Sequence, residues 1–232
     1  MIQVYDWWMP TGEEHLPQYL RVANDRREGR LRYQGAKYDV AMRYVKQRRV
    51  AADCGAHIGL FSHWLAKDFT EVIAFEPVAE HQECWRANMA GVENARLECC
   101  ALGETPGTAH MANRKPGSSG DTGVDPVAER SSLRFAVQAK GEAVPMRTLD
   151  DYELPVLDFL KIDTEGYEVF IVRGARKTLQ RCHPCVMVEQ KPEVGHAERY
   201  GIGVVDAVTA LKGYGASVRA VVKGDYILTW GK

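Results

Sequence analysis

From Arg49 onward, short apolar runs alternate with longer segments whose apolar residues recur at helical spacing. Val50–Asp53 reads as a short buried strand. Ile58–Lys67 reads as a helix with Leu60, Phe61, Trp64 and Leu65 on one face. Glu71–Phe75 predicts a second strand, Ala79–Ala90 a second helix and Ala95–Cys100 a third strand. The rhythm breaks between Gly103 and Thr148, where Pro116–Pro126 is rich in turn residues and poor in apolar ones. Alternation over Ser132–Gln138 predicts one strand behind that loop. The segment reads as an insertion at about 103–148, carrying a mobile loop. The rhythm resumes with a buried strand over Val156–Ile162, short helices over Tyr167–Gly174 and Ala175–Arg181, and a strand over Cys185–Glu189. A helix over Val204–Lys212 and a hairpin of Ala216–Val222 with Tyr226–Trp230 close the chain. Strands alternating with helices imply βαβ units, hence an α/β fold with a mainly parallel sheet and helices on both faces. The last hairpin adds antiparallel strands.

Residues 1–48 stand apart as a polar extension that reads as helical, leaving 49–232 as the main domain. Thr11 is the expected N-cap of a helix from Gly12, with Glu13 and Glu14 in its first turn, where the helix dipole favours anions. A second helix is expected over Lys37–Gln47. Trp7, Trp8, Met9 and Pro10 form an amphipathic cluster with two readings, an anchor on the sheet or a lid over a ligand. Arg21, Arg26, Arg27, Arg30 and Arg32 read as a solvated face.

Composition narrows the function classes. The 232 residues hold 45% hydrophobic side chains, enough for a buried core. Thirty basic and 31 acidic residues give a formal net charge of −1, so no global field draws the chain to nucleic acid or an anionic membrane. No apolar run approaches the roughly 20 residues of a membrane span, and Met1–His15 lacks the pattern of a secretory signal. A cytoplasmic location is therefore expected. Cys182 and Cys185 have CxxC spacing but lack the second ligand pair of a zinc knuckle and precede a strand rather than open a helix.

Three constellations carry chemistry. In Asp53-Cys-Gly55-Ala56-His57-Ile-Gly59, glycines between strand and helix let backbone approach a ligand, and the helix N-terminus offers free N–H donors. A dinucleotide fingerprint would place glycine where Asp53 stands. A carboxylate there repels a pyrophosphate and attracts an amine or sulfonium. Glu76, followed by Pro77, ends the second strand, where an acidic residue accepts both ribose hydroxyls. Leu160–Glu168 runs from an apolar strand into Asp163, Glu165 and Glu168 around Gly166. Asp163 and Glu165 are expected in the same crevice as Asp53 and Glu76, as a base, amine binders or metal ligands. Glu168 reads as a helix-start residue.

Together, DCGAHIG, AFEP, CALG (Cys100–Gly103), LKIDTEGYE with RGA (Arg173–Ala175) and VMVEQK (Val186–Lys191) resemble the FkbM-type methyltransferases of the class I S-adenosylmethionine (SAM)-dependent superfamily. The resemblance implies a Rossmann-like fold, SAM as methyl donor and O-methylation of a hydroxyl on a sugar, glycan or other small molecule. It places Asp53, Gly55, Ala56, His57 and Gly59 at the methionine end, Glu76 and Pro77 at the ribose, Ala101 and Leu102 beside the adenine, and Asp163 within reach of the cofactor. His57 stands where many relatives carry Asn; it acts only if its ring faces the methyl group, and is otherwise a turn residue. An alcohol needs its proton removed within about 2.6–3.2 Å of a base. The candidates, in order, are Asp163, Glu165, Glu189 and His57. Clustered carboxylates also suit Mg²⁺, although no metal is assigned. Other readings are an NAD(P)-dependent oxidoreductase, a SAM-binding module without turnover, and a nucleic-acid methyltransferase. The expected partner is a small acceptor, with no membrane and no nucleic acid, and a homo-oligomer is compatible with the chain.

Overall fold

The computed structural model describes residues 1–113, 115–125, 141–190, 200 and 206–231. The chain opens with a hairpin of β1 (Ile2–Val4) and β2 (Trp7–Met9), then α1 (His15–Ala23), a small ribbon of β3 (Arg26–Arg27) and β4 (Arg30–Leu31), and α2 (Gly35–Met42). The main domain follows as β5 (Val50–Cys54), α3 (Leu60–Asp68), β6 (Glu71–Phe75), α4 (Ala79–Asn88) and β7 (Ala95–Glu98). Then comes β8 (Ala101–Leu102), and the insertion supplies β9 (Gly107–Asn113), β10 (Thr122–Val124) and β11 (Glu142–Arg147). Then come β12 (Phe159–Ile162), α5 (Glu168–Gly174), α6 (Arg176–Cys182), β13 (Cys185–Glu189), α7 (Ala207–Gly213), β14 (Ala216–Val222) and β15 (Asp225–Trp230).

A seven-stranded sheet runs β14-β15-β13-β12-β5-β6-β7. Its strands from β13 to β7 are parallel, and β15 joins β13 antiparallel as half of the closing hairpin. Successive side chains on a strand face opposite ways, and the core divides accordingly. Ala51, Phe159, Met187 and Ile227 pack with Leu20, Tyr38, Phe61 and Trp64 from α1, α2 and α3. Ala52, Leu160, Val186 and Leu228 pack on the other face with Val172, Leu179 and Leu211 from α5, α6 and α7. The expected α/β architecture with a C-terminal antiparallel hairpin is what the structure shows. The insertion's strands join β8 in a separate four-stranded sheet, β10-β9-β11-β8. The strand expected over Ser132–Gln138 lies outside the described residues, as does the start of the helix expected from Val204.

The N-terminal extension departs from expectation. Residues 1–48 are not all helical, because Trp7 and Met9 are buried while Trp8 between them is exposed, the alternation of a strand. Three residues are too few for that period to be read from sequence. Thr11 caps nothing in the manner expected. The first helix begins at His15, and the carboxylate of Glu13 accepts its N–H and that of Leu16 at 2.7 and 2.8 Å. The helix expected over Lys37–Gln47 occupies Gly35–Met42 instead.

Candidate functional site

The chain leaves β5 toward β6 and β7, then crosses back to β12 on the other side of β5. Ligands of open α/β sheets bind at such a switch point, beyond the carboxyl ends of the strands. Here those ends are Cys54 and Ile162, so the turns after them, Gly55–Gly59 and Asp163–Gly166, lie side by side. Gly55 holds φ at +77°, and a Cβ on it would come within 2.0 Å of the Asp163 carbonyl oxygen. Only glycine lets the two turns meet. His57 and Glu165 also lie at positive φ, 51° and 58°, a strained state for side-chain-bearing residues that concentrates at functional sites.

Between these turns lies a cavity of about 390 Å³, within the ~300–1,000 Å³ span of small-molecule sites. Gly55, Ala56, His57, Glu76, Pro77, Ala101, Leu102, Asp163, Glu165 and Glu189 all line it. Asp53 and Gly59 do not. Asp53 is 0% exposed, and its Oδ2 accepts from Ser62 Oγ at 2.7 Å while its Oδ1 lies 3.1 Å from Lys161 Nζ. Gly59 begins α3 at φ +88°, where a Cβ would press on the Trp85 ring.

Glu76 organises the turn after β5. Its carboxylate accepts the His57 and Val78 N–H groups at 2.8 and 2.9 Å and meets His81 Nδ1 at 3.2 Å. A carboxylate offers about four lone-pair sites, so acceptor capacity remains on the cavity side. At the opposite end, one oxygen each of Asp163, Glu165 and Glu189 lie within 4.8 Å of one another, a donor set that suits a hard divalent cation. Tyr33 stands nearby, its hydroxyl pushed well above its ordinary pKa by burial and then by Asp163. Glu168 keeps to the structural role expected of it: its carboxylate accepts from Thr164 N and Gly166 N at 2.9 and 3.0 Å and shapes the turn.

Two segments roof the cavity, His15–Leu16 from the extension and Ser118–Val124 from the insertion. They are tied together. Glu14 N and His15 N donate to the Gly117 carbonyl, and Glu13 Oε2 accepts from the amide and hydroxyl of Ser119. Ser119 Oγ in turn lies 2.8 Å from His57 Nε2. The Ser119 hydroxyl donates its one hydrogen to the Glu13 carboxylate, so its oxygen accepts from His57 Nε2, the ring nitrogen that carries the hydrogen. Burial, then His81 and Lys161, hold His57 well below its ordinary pKa, so the ring is neutral. The Trp cluster is not on the cavity wall. Trp7 is 0% exposed and donates to the Leu31 carbonyl, and Trp8 pairs through its backbone with Asn88. The cluster packs as an anchor, with Trp7 and Met9 in the core, and the extension reaches the cavity through His15 and Leu16 instead.

Sequence reasoning passed over Tyr33, Ser119 and Lys161. Lys161 carried a readable signal, a cation in the middle of the apolar run Phe-Leu-Lys-Ile. Ser119 carried none, because its partners are distant in sequence.

A model described as the methyltransferase FkbM domain matches residues 53–209 of the chain. No curated protein matches it. Among solved structures, the chain is similar to a methyltransferase FkbM from Methylobacillus flagellatus, at 16% identity and a TM-score of 0.47. That match covers 79% of this chain and 44% of the other, so this chain spans less than half the length of that relative. It is also similar to a precorrin-6y C5,15-methyltransferase from Geobacter metallireducens, at 15% identity, TM-score 0.48, covering 90% and 94% of the two chains. A putative methyltransferase from Streptococcus mutans in complex with S-adenosylhomocysteine (SAH) matches at 9% identity, TM-score 0.44, covering 84% and 94%.

Proposed function

The chain belongs to the FkbM methyltransferase family, whose members use SAM, and from that premise we propose that it methylates a hydroxyl of a small acceptor such as a sugar or glycan unit. The observation that carries the reading is the roofed cavity at the switch point, with Glu76 at one end and the Asp163, Glu165 and Glu189 carboxylates at the other. The donor chemistry fits the cofactor: glycine-turn backbone at Gly55 and Ala56, a carboxylate with spare acceptor capacity at Glu76, and apolar walls at Ala101 and Leu102. When bound, SAM supplies an electrophilic methyl group on sulfur.

Each residue has an assigned task in this reading. Glu76, with Pro77 beside it, accepts the ribose hydroxyls, while Ala101 and Leu102 flank the base. Gly55 and Ala56 leave room for the amino-acid end. Asp53 and Gly59, off the cavity wall, support the turn from behind. Asp163 takes the proton of the acceptor hydroxyl, with Glu165 and Glu189 fixing the acceptor's remaining hydroxyls. His57, neutral and donating to Ser119, holds the roof and does not act as the base. Alignment of nucleophile, carbon and sulfur is the larger part of the work, since well-oriented pairs recover about 7–11 kcal/mol of barrier. The roof serves that end by keeping water from the acceptor site.

A roofed cavity of about 390 Å³ favours a small acceptor over a polymer duplex. The arginine-rich N-terminal face favours it too, because Arg27 pairs with Asp68 and Arg32 with Asp25 and Asp39. The test is a panel of hydroxylated acceptors assayed for methyl transfer, with Asp163→Asn and Glu165→Gln beside the wild type. Both variants keep SAH binding and lose turnover, the former by roughly 10²–10⁴-fold, the yield of a positioned base. Full activity in both overturns the assignment.

A further inference from the structure

Lys161 is a buried cation that the chemistry above leaves without a task. It sits in the interior of β12 at 4% exposure, directly opposite Asp53 in the parallel pairing with β5. A buried ammonium persists only where partners replace its water. Its Nζ lies 3.1 Å from Asp53 Oδ1, 3.1 Å from the Gly55 carbonyl oxygen and 4.0 Å from Asp163 Oδ2. The Phe61 ring closes its fourth side, with Nζ 5.4 Å from the centroid. Asp53 is itself held from behind, by the Ser62 hydroxyl at 2.7 Å, which Trp85 Nε1 supports at 3.0 Å. Asp53 never reaches the cavity, whereas Lys161 lines it. The chain of contacts therefore runs from Trp85 and Ser62 through Asp53 to Lys161, and from there to one point on each of the two turns that form the site.

We propose that Lys161 is a positioning residue: anchored on Asp53, its ammonium fixes the Gly55 carbonyl in the placement that the amino-acid end of the cofactor requires, and holds the Asp163 carboxylate beside it in the placement from which it acts on the acceptor. Asp53, the first residue of the glycine-turn motif, then acts on the ligand only through Lys161. The inference rests on the cofactor reading above and assigns a task within that site.

The test is calorimetric titration of SAH into the wild type, Lys161→Met, the double variant Asp53→Asn with Lys161→Met, and Lys161→Ala with and without added ethylammonium. Methionine keeps the bulk of lysine without its charge. The double variant leaves no unpaired buried charge, so it folds even where the single variant does not. The expected result is SAH affinity about tenfold or more below wild type in every variant, a difference of about 1.4 kcal/mol or more. Circular dichroism of the double variant matches wild type. Ethylammonium, filling the space of the missing side chain with a cation, restores binding to Lys161→Ala, and ethanol does not. A side chain needed only for packing gives the opposite pattern. Wild-type affinity in the double variant, or no recovery with ethylammonium, overturns the inference alone. A wild-type protein that binds no SAH overturns the cofactor reading and the inference with it.

Discussion

His63 sits between the Arg30 guanidinium, 3.2 Å from its Nδ1, and the rings of Trp7 and Trp64. Burial, then Arg30 and Lys67, press its pKa down to about 4, against an unfolded value of about 6.5. Between those two values the unfolded chain binds a proton that the folded chain refuses. This contribution to stability is therefore present above pH 6.5 and is lost as pH falls toward 4. Urea denaturation of the wild type and His63→Gln at pH 7, 6 and 5 shows a shallower loss of stability in the variant; parallel pH profiles would contradict the assignment. None of this was readable from the sequence, where His63 is one polar position in an amphipathic helix. Glu76 was readable, because a strand end before proline is a local feature, and the structure puts it on the cavity wall. Asp53 was readable as a member of its motif, but not its partner. Lys161 meets it across β5 and β12, a pairing of strands far apart in sequence that only folding sets.

Among the elements, those of the parallel sheet were the most legible. Glu71–Phe75 and Cys185–Glu189 are strands over the residues expected, since a strand buried on both faces shows a continuous apolar run. The extension was legible only in part. Its hairpins are set by contacts with the main domain, α4 against β2 among them, and by single buried side chains. One such contact is the pair of Lys37 in α2 with Asp225 in β15, Nζ to Oδ1 at 2.5 Å, both buried. Burial raises the Asp225 carboxyl, and Lys37 opposes that rise. Removing one partner strands a charge, at a cost of about 3–5 kcal/mol, while removing both costs much less. Lys37→Met is expected to lose stability on that scale in chemical denaturation, and Lys37→Met with Asp225→Leu to recover most of it. Equal losses in the two would show that the pair does not fasten the extension to the sheet.

At the scale of the molecule, a parallel sheet provides the floor of the site, and an extension and an insertion provide its roof. Glu13, Ser119 and His57 connect the three parts through hydrogen bonds. The turn after β5 and the roof of the cavity thus share one hydrogen-bond network. The sequence motifs lie on the floor, which is why the cofactor class could be read and the acceptor could not. The roof comes from segments whose partners are set only by folding. The central claim, a SAM-binding cavity organised by Glu76, is tested most directly by calorimetric titration of SAH, with NADH for comparison and Glu76→Ala as control. Micromolar binding of SAH alone, weakened by the substitution, is the predicted result. Binding of NADH, or SAH binding unchanged by Glu76→Ala, would contradict it.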